Sequence, residues 1–157
     1  MDWKGHAGLN LMITSLTAIL GGFSGPEINY IIIFSTVMSS LPDIDIRLEL
    51  PHRKYTHNIF FGILAGLAAG IVSQSLGFSF VIGFASVFIG VLTHILGDLM
   101  TYMPFSPLAP LINKKISFRL FKSSNTAVNF SFLLLGAFTY YLFLTSKSTR
   151  INFTLLP

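Results

Sequence analysis

Four histidines and three carboxylates carry most of the chemistry open to this chain, and they fall in four short motifs. His6 stands near the start, and Leu41-Pro42-Asp43-Ile44-Asp45 holds two carboxylates. His52-Arg53-Lys54-Tyr55-Thr56-His57 holds two imidazoles, and His94-Ile95-Leu96-Gly97-Asp98 holds one of each group. Imidazole mixed with carboxylate suits Zn²⁺, Mn²⁺ or Fe²⁺ better than Ca²⁺ or a thiolate-seeking ion. A metal ion makes water an effective nucleophile near neutral pH, and paired ions clamp a phosphoryl oxygen. The absence of Cys excludes thiolate ligands, disulfides and a Cys nucleophile. No Ser-His-Asp order and no phosphate-cradling glycine loop is present.

Spacing sharpens some of these candidates. His94 and Asp98 are four apart on an expected helix, so both project from one face, with Thr101 following one turn later. That pair reads equally as ligands of one metal or as a buried His–Asp hydrogen bond. Pro42 biases Leu41 toward an extended backbone, and in an extended segment Asp43 and Asp45 face the same way. Two adjacent carboxylates repel, which favours a bound cation or a shared proton; the alternative is a solvated acidic turn paired with Arg47. Thr56 or Asn58 is suited to cap the helix that follows, which puts His57 at its start. Arg53 carries a planar fork that matches phosphate or carboxylate, while the Arg53-Lys54 pair alternatively serves only as a topology signal. His6, Asn10, Thr14 and Thr17 form a polar stripe expected to face the bundle interior, where such stripes act as interhelical glue.

The elements that must position these residues are apolar. Hydrophobic residues make up 52% of the chain, charged residues only 10%, and phenylalanine occurs 16 times. Mean hydropathy is +0.71. A chain of 157 residues is too small to hide that much apolar surface from water in a soluble core, so an integral membrane protein is expected. The sequence predicts one all-α domain over 1–157 with five apolar segments: Ala7–Phe23, Ile28–Leu41, Ile59–Leu76, Phe78–Tyr102 and Phe130–Leu144. The first, second and fifth are short for a span of about 20 residues, and are tilted or partly re-entrant. No cleavable signal peptide is recognisable at the start.

Five crossings bring the N-terminus, the Pro42–His57 loop and the Tyr102–Asn129 loop to one side, which is the side of every motif. The same side holds Lys4, Arg47, Arg53, Lys54, Lys114, Lys115, Arg119 and Lys122, against Lys147 and Arg150 opposite. By the positive-inside rule the motif side and the N-terminus are cytoplasmic and the C-terminus is outside. Within 102–129, Leu108, Leu111, Ile112, Ile116, Leu120 and Phe121 interleave with basic residues. That mix suits an interfacial loop or amphipathic helix lying at the headgroups, or an ordinary connecting loop.

At these residues the chain resembles the YdjM-type family of inner-membrane, metal-dependent hydrolases. The likeness runs from His6 to about Asn125 and includes Leu41–Asp45, His52-Arg53, Thr56-His57, His94, Asp98 and Thr101. It continues through Pro104-Phe105-Ser106 and Lys122-Ser123-Ser124-Asn125. More remotely, the His94–Asp98 element is similar to the His-x-x-Gly-Asp element of zinc-dependent phospholipases C and P1-type nucleases. That resemblance implies zinc at His94 and Asp98 and a phosphate-ester substrate; the N-terminal Trp of those enzymes is not matched here.

The sequence therefore points to a membrane-bound, metal-dependent hydrolase acting on a phosphoester of a lipid or lipid-linked substrate. The expected metal ligands are His6, Asp43, Asp45, His57, His94 and Asp98. Asp45, His52, Arg53 and Thr101 are the expected catalytic residues, and Arg53 and Lys54 the expected substrate contacts. Zinc leads, with Mn²⁺ or Fe²⁺ as alternatives, and no nucleic-acid partner is expected. The rival readings are a metal-binding transporter or channel, and a scaffold whose motifs form structural metal clips.

Overall fold

Local sequence signals start most of the helices. Asp2 caps α1 (Trp3–Leu20), its side chain accepting from Gly5 N at 2.9 Å. A Gly-Gly-Phe-Ser-Gly turn, with Gly22 and Gly25 at φ 68° and 111°, leads into α2 (Pro26–Met38), where proline fills the first helical position. Asn58, rather than Thr56, caps α4 (Ile59–Ser75) by accepting from Phe61 N at 2.9 Å. Ser79 caps α5 (Phe80–Leu99), and α6 (Thr126–Phe153) closes the chain. The computed structural model describes residues 1–49 and 51–153, with side chains after residue 146 outside the description, so the far-side pair Lys147 and Arg150 is not placed.

Among the described residues, five main helices thus stand where five apolar segments were expected, and their architecture is all-α. Among the described residues two are long and apolar enough to cross a membrane: Phe80–Leu99, with mean hydropathy 2.1, and Thr126–Ser146, with 1.7. Helix α4 is apolar but only 17 residues long. Helix α2, with 13 residues, reaches about 20 Å against a hydrocarbon core of about 30 Å.

Close helix approach holds the bundle together. Gly62, Gly66 and Gly70 line one face of α4 and receive Val91, Phe84 and Phe80 of α5. Phe80, Phe84 and Phe88 stack on one another at 6.0 and 5.5 Å. Small residues at such intervals let apolar helices pack without water to drive them together. Helix α1 meets α6 backbone to backbone at Gly8 and Gly136, where no Cβ would fit. Val87, Val91 and Ile95 form a buried core with Phe105.

Two local expectations are corrected. Residues 41–45 are not extended: Leu41–Asp43 is a 3₁₀ turn and continues into a one-turn helix, α3 (Ile44–Arg47). A proline in the first helical turn loses no hydrogen bond and has a preset φ, so Pro42 begins helical structure instead of enforcing a strand. Thr17 is exposed, unlike His6, Asn10 and Thr14, so the polar stripe on α1 ends at Thr14. Asn10 is its hub. It donates to Thr93 Oγ1 at 2.7 Å and accepts from Ser35 and Thr36, both at 2.9 Å, tying α1 to α5 and α2.

The segment between α5 and α6 contains no helix. It folds back as an irregular ribbon with an antiparallel bridge between Phe105 and Ile116 and a parallel one between Thr101 and Phe121. Phe118 N and Leu120 N bond to the carbonyls of Leu99 and Met100, at 2.7 and 2.9 Å. Phe105, 2% exposed, anchors the ribbon in the core.

Candidate metal centre

The end of the bundle where α1 begins and α5 ends gathers the motifs into one cluster. His6, Asp45, His57, His94 and Asp98 are fully or almost fully buried, and Asp43 and His52 reach its edge with side chains 28% and 31% exposed. His57 lies just ahead of α4, Asp43 in the turn after α2, and His94 and Asp98 on one face of α5. All are brought together only by tertiary packing.

Four ligand atoms converge. His57 Nε2 is 3.3 Å from Asp43 Oδ1 and 3.5 Å from Asp98 Oδ2. His94 Nε2 is 3.6 Å from each of the same two oxygens. Four ligands at zinc distances of about 2.0–2.1 Å define a tetrahedron with six edges of about 3.3–3.5 Å, and these four nitrogen–oxygen separations lie within a few tenths of an ångström of that range.

Proton placement shows how these atoms could hold a cation. His94 Nδ1 lies 2.7 Å from the carbonyl of Ser39. A carbonyl only accepts, so Nδ1 carries the proton and Nε2 presents a lone pair. His57 Nδ1 sits 3.0 Å from Thr56 Oγ1 and 3.3 Å from Asp45 Oδ2, while Thr56 Oγ1 donates to Asp45. The Nδ1 proton of His57 is therefore also spent, and its Nε2 is likewise an acceptor. Two imidazole lone pairs thus face two carboxylates, and His57 Nε2, His94 Nε2 and Asp98 Oδ2 are buried without a hydrogen-bond partner. Four acceptors crowded without a proton are a set that a positive ion could satisfy.

The surroundings hold this set in place. Asp45 Oδ1 accepts from His52 Nδ1, and Oδ2 accepts from Arg53 N and Thr56 Oγ1, all at 3.0 Å. Burial alone would raise the Asp45 pKa, but the hydrogen bonds from His52, Arg53 and Thr56 outweigh it and hold the carboxyl below its ordinary range. Burial lowers the pKa of His57 and keeps its ring neutral, as a ligand must be.

The structure turns Arg53 inward. Its backbone adopts φ 62°, its Nη2 meets Asp98 Oδ1 at 2.8 Å and its Nη1 donates to Met103 O at 2.8 Å. The guanidinium lies 5.6 Å from the Phe105 ring centre. The fork expected to meet a substrate meets Asp98, whose Oδ1 also accepts from the Met1 amino group at 2.6 Å. Lys54 is exposed over Tyr55. The Thr101 hydroxyl is buried and donates to the carbonyl of Asp98 at 2.8 Å. His6 stacks on His94 with ring centres 3.7 Å apart; its Nε2 is 3.4 Å from Asp98 Oδ1, and neither of its nitrogens has a hydrogen-bond partner. Gly97 makes room for that ring, since a Cβ there would fall 3.0 Å from His6 Nδ1.

Sequence reasoning did not single out Ser39, whose contribution is a backbone carbonyl that any residue would offer. Nor did it assign the Thr56 hydroxyl to Asp45, although its place beside His57 was a usable signal.

Among known proteins, no curated protein and no solved structure matches the chain, so the phospholipase-like reading rests on the His94–Asp98 element alone. The family model described as YdjM inner membrane protein matches residues 1–156. Spanning nearly the whole chain, that match carries the conclusion its buried histidines and aspartates had suggested: the protein belongs to the YdjM inner membrane protein family.

Proposed function

We propose that this protein is a membrane-embedded, metal-dependent hydrolase of a lipid or lipid-linked phosphoester. The observation that carries the reading is the convergence of four acceptor atoms, Asp43 Oδ1, His57 Nε2, His94 Nε2 and Asp98 Oδ2, with each imidazole nitrogen 3.3–3.6 Å from both carboxylate oxygens. These residues would hold the ion, zinc by their number and spacing. His6 stands beside them as the further ligand that Mn²⁺ or Fe²⁺, with their larger shells, would recruit. When bound, such an ion polarises a phosphoryl oxygen and makes water nucleophilic near neutral pH.

The chain's own residues divide the remaining work. Asp45 is a positioning residue that orients His57 and His52. Because His52 Nδ1 donates its hydrogen bond to Asp45 Oδ1, the Nε2 of that partly exposed ring is the atom left to accept and return a proton at the mouth. Arg53 fixes Asp98 and neutralises its second oxygen, and Thr101 steadies the end of α5. Four fixed protein ligands alone would describe a structural clip, so catalysis requires one corner to yield to water or substrate; Asp43, 28% exposed at the open side beside His52, is the corner placed to do so. Asp98 is the penultimate residue of an apolar span, so substrate arrives at the membrane edge, which favours a lipid. A transport path would need ionisable residues through the bilayer, whereas Glu27 is the only acidic, basic or histidine residue described at the far end.

Purification in detergent without chelators is expected to yield about one ion per chain, as the four-ligand set implies. A panel of phosphatidate, other phospholipids and lipid-linked phosphates is expected to reveal hydrolysis that chelation stops and metal restores. Protein free of metal would overturn the proposal, and stoichiometric metal without turnover on any substrate would favour the scaffold.

We further propose five crossings, with the motif face and N-terminus cytoplasmic. The chain has no native Cys, so a Lys54→Cys variant is expected to be labelled by a membrane-impermeant maleimide only after the cytoplasmic face is opened. Labelling from outside intact cells would reverse the orientation, and both termini on one side would reject five crossings.

A further inference from the structure

The ribbon from 100 to 125 links the two helices able to cross the membrane, Phe80–Leu99 and Thr126–Ser146, so it lies at one membrane surface whatever the other helices do. It is pinned to the bundle by Phe105 and by the bonds from Phe118 and Leu120 to the end of α5. Yet it leaves large apolar side chains uncovered: Leu111 is 77% exposed, Leu120 61% and Phe118 58%. Facing water, that much apolar surface on one short segment is unfavourable. Lys114, Lys115, Arg119 and Lys122 are exposed among them. No residue after Asp98 is acidic, so nothing on this ribbon neutralises the four charges.

We propose that this ribbon is a docking surface for the anionic lipid headgroups of the protein's own membrane, with Leu111, Phe118 and Leu120 seated at the acyl boundary and the four basic residues at the phosphates. Charge complementarity selects anionic over zwitterionic lipid, because each basic residue near a negative surface adds attraction that a neutral headgroup does not supply. A topology signal alone requires positive charge but no exposed leucine or phenylalanine beside it. The surface is independent of the metal centre, and its failure would leave the proposed hydrolase untouched.

The test uses the full chain in vesicles, with Trp3→Phe removing the single native Trp and Leu111→Trp as reporter. Lipids brominated near the headgroup end of the acyl chain serve as quenchers. In vesicles containing phosphatidylglycerol, Trp fluorescence is expected to fall about twofold or more, and clearly less in pure phosphatidylcholine. Replacing Lys114, Lys115, Arg119 and Lys122 with Gln should reduce the quenching to the phosphatidylcholine level, with unchanged helical circular dichroism. A reporter quenched by aqueous acrylamide and not by lipid would overturn the proposal. So would quenching indifferent to lipid charge, or a reporter shielded from both quenchers by a second copy.

Discussion

Replacing His94 or Asp98 with Ala is expected to reduce bound metal from stoichiometric to background and to abolish metal-dependent hydrolysis. Each would supply one of the four proposed ligands, and a site with three of four ligands loses much of its affinity. The two variants should differ in stability. His94→Ala strands the buried carbonyl of Ser39, at a cost of about 1–3 kcal/mol. Asp98→Ala strands the buried Arg53 guanidinium, where breaking an ion pair by removing one partner costs about 3–5 kcal/mol. A plain hydrogen-bonded His–Asp pair makes a different forecast. Metal content would be unchanged in both single variants, and a double apolar substitution would recover part of the lost stability. Metal analysis and thermal unfolding of both single variants and the double one separate the two outcomes. The 3.6 Å separation between His94 Nε2 and Asp98 Oδ2 already exceeds a hydrogen bond.

Asp45→Ala is expected to weaken metal binding by about 10–100-fold without abolishing it, the usual consequence of removing a carboxylate that orients a ligating histidine. Both Asp45 oxygens are occupied by His52, Arg53 N and Thr56, with His57 Nδ1 close by. Loss of Asp45 frees the His57 ring to rotate or change tautomer and releases His52 at the mouth, so turnover should fall further than affinity. Asp45→Asn should be milder in affinity, since its amide oxygen still accepts from one of these donors. Metal titration of the detergent-purified variants measures the effect. Complete loss of metal in Asp45→Ala would make it a ligand, as the sequence pattern suggested, and wild-type affinity would remove it from the centre altogether.

The contrast between Asp45 and Asp43 shows where sequence reading stops. Both carboxylates were identified as site residues from their motif, yet their division of labour depends on a helical turn at 41–47 that a strand-like reading of Pro42 missed. In that turn Asp43 and Asp45 reach opposite nitrogens of the same ring, His57. Arg53 illustrates the same limit from the other direction. Its guanidinium chemistry was legible, but whether the fork meets a substrate or Asp98 depends on a left-handed backbone at φ 62° that its own sequence neighbours do not announce. Thr101 follows suit, since its hydroxyl is consumed one turn back on the Asp98 carbonyl.

From the sequence alone came the quantities that depend on residue type and periodicity: an all-α chain of five apolar segments, Asn58 as one of two candidate caps for α4, four motifs sharing one end, and the hard-donor chemistry of imidazole and carboxylate without thiol. Hydropathy and spacing report those because each is a local property of a helix or turn. Tertiary structure decided which atoms meet. The packing of α4 onto α5 through glycine, and the hub at Asn10, set His57, His94, Asp43 and Asp98 within 3.3–3.6 Å. The carbonyl of Ser39 and the carboxylate of Asp45 then decided which imidazole nitrogen keeps its proton. Such selections rest on distances between segments far apart in the chain, where a shift of one ångström turns a metal ligand into a bystander.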